Sequence, residues 1–343
     1  MNFGRILIRA TNWVGDAVMA VPSLEQIRLR FPDAHIAMLA RPWVSGLYDK
    51  SLIDEIIPYT ASKGWKDLRG KWELARRLEK MRFDAAILQQ NAFEAAAIVW
   101  LARIPVRIGY SREGRGLLLS DPIAVPKPGE IPTHQRFYYL EMLRRAGLIE
   151  KLPDSPAIRL PGIPFLQKAG AKRLPGAWIG VSPGAAYGTA KRWLPERFAA
   201  AAVTVARDLS AGVAVFGSPD EKALCEGIAA QIQAEGVNAR SFAGETGLGE
   251  FVEMASVCQA FLTNDSGAMH VASALGIPTV SVFGATDHVA TGPTGPLAKV
   301  IREKVECSPC LLRECPIDHR CMKAVAADRV AGEVLELVQI ARQ

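Results

Sequence analysis

Four signatures are missing from the 343 residues, and each absence removes a class of protein or of site. Neither G-x-G-x-x-G nor G-x-x-x-x-G-K-[ST] occurs, so the two commonest nucleotide fingerprints are excluded. No D-x-D pair occurs, so the chain lacks the obvious carboxylates for chelating a metal–diphosphate. No apolar run approaches the ~18 residues that span a bilayer. The longest run, residues 95–102, predicts a buried helix segment.

Composition is that of a globular protein, with 49% hydrophobic and 22% charged residues. The first apolar stretch is interrupted by Arg9 and then Asp16, so it is not a signal peptide, and a cytosolic location is predicted. The net charge of +6 is uneven, because residues 1–165 contain 24 Lys and Arg against 17 Asp and Glu. This basic half suggests an anionic partner such as phosphorylated lipid, a membrane surface or nucleic acid, although a plain solvated surface explains it equally well.

Apolar patterning predicts two α/β domains, residues 1–165 and 166–343. In the first, strands are predicted at 5–9, 35–40, 85–90 and 106–110, with helices at 17–31, 71–81, 92–102 and 134–146. A passage rich in Pro and Gly, 160–176, marks the boundary. Beyond it, strands at 178–181, 212–217, 260–262 and 279–284 alternate with helices from Pro195, Asp220 and Ser266. Such alternation indicates parallel sheets, whose ligands bind beyond the carboxyl ends of the strands.

The loop 182–193 follows a predicted strand and has the features of a phosphate-binding turn. Gly184 and Gly188 allow the backbone to approach a ligand closely. Lys191 and Arg192 come just before Pro195, which is predicted to begin a helix. Cations are unfavourable at that end of a helix unless an anion lies between them. A plain strand-to-helix turn is the alternative interpretation.

Two further segments follow predicted strands. Asp265-Ser266-Gly267 begins a helix that carries His270, and the ordinary roles here are a helix cap and a core histidine. Asp16 lies where the first loop meets its helix. It is either an N-cap carboxylate or a general base at the mouth of the site.

The motifs Trp13-Val14-Gly15-Asp16, Gln90-Asn91-Ala92-Phe93, Gly184-Ala185 with Ala190-Lys191-Arg192-Trp193, and residues 264–272 occur in one order along the chain. Together they make the sequence resemble the ADP-heptose:lipopolysaccharide heptosyltransferases, most closely those that add the second heptose. The resemblance implies a GT-B fold of two facing Rossmann-like domains. It also implies an inverting transfer from ADP-heptose to the first heptose of the lipopolysaccharide inner core, with no cofactor required.

The resemblance also assigns roles to individual residues of this sequence. It implies that Asp16 is the catalytic base and that Lys191 binds the departing diphosphate. The implied donor-binding residues are Ser182, Gly184, Gly188, Thr189, Lys191, Arg192, Asp265, Ser266, Gly267, Met269 and His270. The acceptor-binding candidates are Asn12, Trp13, Arg41, Asn91, Arg112 and Arg115. The implied partners are ADP-heptose, the inner-core acceptor and the cytoplasmic face of the inner membrane, without nucleic acid.

Three alternatives remain at this point. A different inner-core acceptor would keep the chemistry, whereas a sugar-nucleotide epimerase of the same fold would need no acceptor. A nucleic-acid-binding function would explain the basic charge, but the sequence lacks the clustered aromatic residues typical of such proteins.

None of these functions accounts for the cysteine cluster Cys307-x2-Cys310-x4-Cys315-x5-Cys321. Its spacing is not that of paired C-x-x-C zinc ligands, so reduced thiols are predicted and a structural metal is the alternative. Cys225 and Cys258 are predicted to be core residues.

Overall fold

The computed structural model describes residues 2–60, 65–154 and 157–343. The chain divides into unit 1, Met1–Ser155, and unit 2, Pro156–Gln343. Each unit contains one parallel sheet with helices between consecutive strands, which confirms the α/β class and the Rossmann-like pattern predicted for each half.

The sheet of unit 1 has the order β3-β2-β1-β4-β5-β6. Its strands are β1 Arg5–Arg9, β2 His35–Ala40, β3 Glu55–Pro58, β4 Ala85–Leu88, β5 Val106–Tyr110 and β6 Asp121–Ile123. Its helices are α1 Val14–Met19, α2 Val21–Arg30, α3 Pro42–Ser45, α4 Trp65–Met81, α5 Phe93–Leu101 and α6 Arg136–Arg145, with a 3-10 helix at Arg115–Leu118.

The sheet of unit 2 has the order β12-β11-β10-β7-β8-β9. Its strands are β7 Trp178–Ser182, β8 Gly212–Val215, β9 Ala239–Ser241, β10 Phe261–Asn264, β11 Thr279–Val282 and β12 Ala298–Ile301. Its helices are α7 Ile163–Arg173, α8 Pro195–Leu209, α9 Lys222–Ala234, α10 Leu248–Ala255, α11 Gly267–Ala274, α12 His288–Thr291, α13 Arg320–Lys323 and α14 Ala327–Ala341, with 3-10 helices at Thr189–Lys191 and Pro219–Glu221. Counted from its first strand, this sheet has the same order as that of unit 1.

The central strands are buried on both faces, as expected for a sheet covered by helices on each side. In unit 1, Leu7, Leu39 and Leu88 pack with α4 and α5 in one hydrophobic cluster. Their neighbours along the strands point to the other face, where the Gln89 amide donates to Ser23 Oγ of α2. Helices α4 and α5 therefore form one layer of unit 1, and α2 lies in the other.

The predicted boundary at 165/166 lies ten residues too late. The Ile158 amide donates to Thr294 Oγ1, and the Leu160 amide donates to the Ala274 carbonyl. The passage rich in Pro and Gly is therefore already part of unit 2, where it leads into α7 with Pro164 near the start of the helix.

Two predicted helices also change. The helix predicted at 17–31 is two helices that meet at Ala20, with Pro22 in the first turn of the second. Residues 95–102 were predicted to be a buried segment, yet Trp100 and Leu101 are exposed. In the described residues, no helix is both long and apolar enough to cross a membrane.

Candidate functional site

Most candidate residues follow the two strands at which the strand order reverses, whereas Arg41 follows β2 and Arg112 and Arg115 follow β5. Strands β1 and β4 are neighbours at this point in unit 1, and β7 and β10 are neighbours in unit 2. The crevice beyond the carboxyl ends of two such strands is the general ligand position of open α/β sheets. The candidates that follow these four strands therefore lie where open α/β sheets bind ligands.

In unit 2, one buried side-chain amide at the end of β10 binds both ends of the loop after β7. Asn264 Oδ1 accepts a hydrogen bond from the Trp193 amide at 2.9 Å. Its Nδ2 donates to the Pro183 carbonyl at 2.6 Å. Asn264 is fully buried, so water does not reach the two hydrogen bonds that hold the two ends of the loop 183–193.

Lys191 forms the main charge contact of this site. Its Nζ lies 2.6 Å from Asp265 Oδ2, and that oxygen also accepts a hydrogen bond from Thr286 Oγ1. Both side chains of the ion pair are largely buried. An anionic ligand that contacts Lys191 therefore competes with Asp265, and Asp265 keeps its bond from Thr286 when it does.

The segment 307–321 braces the turn that carries Lys191. The Ala190 amide donates to the Arg313 carbonyl at 2.9 Å, and Tyr187 Oη donates to the Leu311 carbonyl at 2.8 Å. The Ala190 carbonyl accepts from His319 Nε2 at 3.1 Å. Lys191 Nζ and Arg313 Cζ lie 4.8 and 5.3 Å from the centre of the Tyr187 ring. Cation–π contacts thus add to three hydrogen bonds.

Gly188 is required by this close approach. A Cβ at position 188 would lie 2.2 Å from the Arg313 carbonyl oxygen and 2.8 Å from its Cα, and backbone atoms cannot move aside as a side chain can. We expect Gly188→Ala to displace the turn and weaken ADP binding about tenfold or more, measured by titration calorimetry. Gly227→Ala in α9 is the matched control, because nothing lies within 4 Å of its added Cβ. Equal ADP affinity of Gly188→Ala and wild type would contradict this role for the brace.

The other predicted donor residues occupy different environments. Arg192 pairs with Glu221 at 3.5 Å, and Thr189 is exposed at the turn. Asp265 is not a helix cap, because its carboxylate faces Lys191, and Ser266 Oγ lies 3.1 Å from Thr263 Oγ1. The remaining donor candidates lie at the end of β7, in the loop after it, or in the first turn of α11: Ser182, Gly184, Gly267 and His270.

Met269 requires a correction. It was predicted to contact the donor, but its side chain is completely buried in the core of unit 2. It lies in the first turn of α11, and the residues that follow it in that helix, 270–274, are buried as well. Met269 therefore supports the helix rather than facing a ligand.

In unit 1, Asp16 lies in the first turn of α1, and Trp13 is the N-cap. The N-cap role is therefore excluded for Asp16. Its Oδ1 accepts a hydrogen bond from Tyr139 Oη of α6 at 3.2 Å. Complete burial, and next the nearby Asp16 charge, raise the pKa of Tyr139 well above its usual value. Tyr139 therefore stays protonated and acts as a hydrogen-bond donor that orients the carboxylate.

Two arginines are buried at the same edge of unit 1. Arg9 is fully buried and Arg41 is 8% exposed. Burial, and then the nearby Arg41 charge, lower the pKa of Arg9 to about 10. Both guanidinium groups lie beside the Tyr59 ring, and Arg41 is 3.7 Å from Glu94. The Nε atoms of both arginines are buried without a hydrogen-bond partner. This edge therefore has a positive charge that is only partly neutralised.

The remaining acceptor candidates surround that edge. Asn12 accepts from Arg9 Nη2 at 3.0 Å through its side chain, and its carbonyl accepts from Trp43 Nε1 at 2.8 Å. Trp13 and Arg112 are exposed. The Asn91 amide is fixed at both ends, because it donates to Tyr138 Oη and accepts from Arg115 Nη2.

Arg115 also requires a correction. It was predicted to contact the acceptor, but it is completely buried. Its guanidinium donates to the carbonyls of Tyr110 and Gln90 as well as to Asn91. Its role is to hold the loop after β4 in place, so a direct contact with an acceptor is excluded.

The four clustered cysteines line one small cavity beside Gly284 and Ala190. Burial, and next the nearby Cys307, raise the pKa of the Cys321 thiol, which disfavours the thiolate that binds metals. Within residues 2–60, 65–154 and 157–343, no three Cys, His, Asp or Glu side chains are placed to hold a metal ion. Cys225 and Cys258 are buried in the core of unit 2, as predicted.

Sequence patterns missed several residues of the site. Tyr139 and Asn264 act through contacts with distant residues, although Asn264 does belong to one of the quoted motifs. Arg9 could have been noticed, because a charged residue at the end of a buried strand is unusual. The hydrogen bonds that join Arg313 and His319 to Ala190 could not be predicted, because no sequence pattern near these residues indicates them.

Comparison with known proteins gives one consistent result. The family model for glycosyltransferase family 9 (heptosyltransferase) matches residues 71–320. The chain is 32% identical to lipopolysaccharide heptosyltransferase 2 of Salmonella typhimurium, over 87% of this chain and 88% of that protein. It is 27% identical to lipooligosaccharide heptosyltransferase 2 of Campylobacter jejuni, over 97% and 99%. The solved structure of E. coli ADP-heptose lipopolysaccharide heptosyltransferase II superposes with a TM-score of 0.80 at 27% identity, over 99% and 100% of the chains.

Proposed function

This chain belongs to glycosyltransferase family 9, the heptosyltransferases, and we propose from that premise that it transfers L-glycero-D-manno-heptose from ADP-heptose to the first heptose of the lipopolysaccharide inner core. The observation that carries the donor assignment is the buried Lys191–Asp265 pair beneath a glycine turn at the strand-order reversal of unit 2. That arrangement provides a cation and close backbone approach for a diphosphate. The names of the similar heptosyltransferases support the donor and the acceptor class.

In the proposed reaction, Asp16 accepts the proton of the acceptor hydroxyl. The hydroxyl oxygen forms a bond to the anomeric carbon of the heptose as the bond from that carbon to the β-phosphate oxygen breaks. The configuration at the anomeric carbon inverts, and ADP departs with the bonding electron pair. Tyr139 orients the Asp16 carboxylate, and Lys191 stabilises the charge that develops on ADP.

The proposed transfer requires no metal. The Lys191 cation takes the role that a divalent ion has in enzymes with a D-x-D pair. We expect excess EDTA to leave the rate of heptose transfer unchanged, measured as ADP release with metal-free reagents. A rate that falls with EDTA and returns with added Mg²⁺ or Mn²⁺ would contradict this part of the mechanism.

The acceptor is tested with truncated inner-core acceptors that carry no heptose, one heptose or two. ADP release only with the one-heptose acceptor would support the proposed function. Release only with one of the others would assign a different inner-core acceptor. Epimerised sugar formed from ADP-heptose alone would instead indicate an epimerase.

The proposed acceptor is anionic and attached to lipid. Arg9 and Arg41 provide partly neutralised positive charge at the acceptor edge, which suits phosphate or carboxylate groups of the inner core. Since the acceptor is a membrane lipid, we propose that the protein works in peripheral contact with the inner membrane.

A further inference from the structure

Helix α5 of unit 1 has an apolar outer face. Phe93, Ala97, Trp100 and Leu101 follow the spacing i, i+4, i+7 and i+8, which places them on one side of the helix. The opposite side of α5 packs in the core of unit 1 through Ala96 and Val99. Glu94 is the only charged residue of the helix. A helix that is apolar all round is normally buried, yet Trp100 remains 50% exposed.

The elements that pack against α5 extend this surface. Helix α4 contributes Leu68 and Trp72, and the 3-10 helix Arg115–Leu118 contributes Leu117, which is 96% exposed. We call these six exposed side chains the α4–α5 face: Leu68, Trp72, Phe93, Trp100, Leu101 and Leu117. Single exposed apolar residues are common on protein surfaces, but six in one helical layer are typical of an interaction surface. In the other layer, Leu29 is the one large apolar side chain of α2 that is exposed in the described residues.

Helix α4, which contributes Leu68 and Trp72 to the α4–α5 face, is basic. Residues 67–82 contain six Lys and Arg against three Asp and Glu, a net charge of +3 within a chain of net charge +6. Arg77 and Lys80 are exposed and form no ion pair within 4 Å in the described structure. The Arg76 guanidinium lies 5.8 Å from the centre of the Trp72 ring. Tryptophan beside basic residues is the combination typical of surfaces that bind an anionic bilayer.

We propose that the α4–α5 face is the surface through which this protein binds an anionic lipid bilayer. Trp72, Trp100 and Leu117 enter the headgroup region, and the basic residues of α4 contact lipid phosphates. Charge complementarity favours an anionic bilayer over a second copy of this chain, because a dimer formed through this face would bring two basic α4 helices together. The purpose assigned to this surface rests on the proposed function, since it brings the enzyme to an acceptor held in lipid.

The full-length protein is tested by flotation with vesicles of phosphatidylglycerol and phosphatidylcholine, and with vesicles of phosphatidylcholine alone. We expect binding to the anionic vesicles that weakens at high salt, because the Debye length falls from about 10 Å at 0.1 M to about 3 Å at 1 M. Trp100→Ser combined with Leu117→Ser should lower the affinity about tenfold or more, since two large apolar side chains lose their burial in lipid. Arg77→Glu combined with Lys80→Glu should lower it by at least about fivefold for each charge removed.

Leu29→Ser is the matched control, because Leu29 is 73% exposed but lies in the other helical layer. It should bind vesicles like wild type. All substituted residues are exposed, and thermal unfolding confirms that each variant is folded. Vesicle binding that is absent in wild type, or equal in wild type and the α4–α5 variants, would overturn the proposal. A wild-type dimer in analytical ultracentrifugation that these substitutions dissociate, without any change in lipid binding, would overturn it as well.

Transfer to a lipid-free inner-core oligosaccharide separates this proposal from the proposed function. The α4–α5 variants should use this acceptor at the wild-type rate and lose activity only when the acceptor is embedded in vesicles. Normal transfer to the oligosaccharide without any vesicle binding overturns the membrane surface alone. Absence of transfer to both acceptors overturns the proposed function.

Discussion

Asp16→Asn is expected to lower the turnover number roughly 100- to 10,000-fold while ADP-heptose binds almost as well as to wild type. Asparagine keeps the shape of the side chain and can still accept a hydrogen bond from Tyr139, which is 3.2 Å away. It cannot accept a proton from the attacking hydroxyl. Single-turnover transfer and calorimetric binding of ADP-heptose measure the two effects separately.

Two variants give this prediction its controls. Asp33→Asn replaces an exposed aspartate in the turn between α2 and β2 and should leave turnover unchanged. Tyr139→Phe removes the hydroxyl that bonds to Asp16 and to Gln135 but keeps the ring, so we expect a loss of about fivefold, equivalent to about 1 kcal/mol. If Asp16→Asn lowers turnover only about as much as Tyr139→Phe does, Asp16 is not the base.

Lys191→Ala is expected to weaken ADP-heptose binding and to lower turnover as well, reducing kcat/KM roughly 100- to 1,000-fold. In the proposed mechanism the lysine contacts the diphosphate in the ground state, and this contact strengthens as ADP leaves with additional charge. Acceptor affinity should not change. Initial rates with each substrate varied in turn distinguish the donor effect from the acceptor effect.

Lys191→Ala affects folding stability as well as donor binding, because removing the lysine leaves the buried Asp265 carboxylate without its cation. Such a loss costs about 3–5 kcal/mol of folding stability. Lys191→Ala combined with Asp265→Asn removes this unpaired charge, so its stability should recover while its donor affinity stays low. Lys222→Ala, an exposed lysine of α9, should change neither quantity. Recovery of donor affinity in the double variant would mean that Lys191 acts only by neutralising Asp265.

The sequence predicted the central strands well because they are buried on both faces. Strands β1, β2 and β5 have the bounds expected from their apolar runs. Four strands were not predicted: β3, β6, β9 and β12. All four lie at the edges of the two sheets, and such strands are short and polar or contain proline. Pro58 and Pro122 are examples, since each ends or interrupts an apolar pattern.

The two donor loops were predictable because a strand, a glycine turn and a helix start within about a dozen residues. Contacts between distant segments could not be read in the same way. Tyr139 is 123 residues from Asp16, and His319 is 129 residues from Ala190. Exposed and buried arginines also look alike in sequence, so Arg115 was placed at the surface although its guanidinium is bonded to carbonyls inside unit 1.

The repeated strand order has an evolutionary consequence. In both sheets the strand order reverses between the first and fourth strands, and in both units several candidate residues, such as Asp16, Lys191 and Asp265, follow those strands and lie outside the hydrogen-bonded ladder. Substitutions in one loop therefore leave the ladder of that unit intact and leave the other unit's core untouched. Under the proposed function, selection can therefore change which acceptor is used through the loops of unit 1 while the proposed nucleotide-sugar site of unit 2 is inherited unchanged.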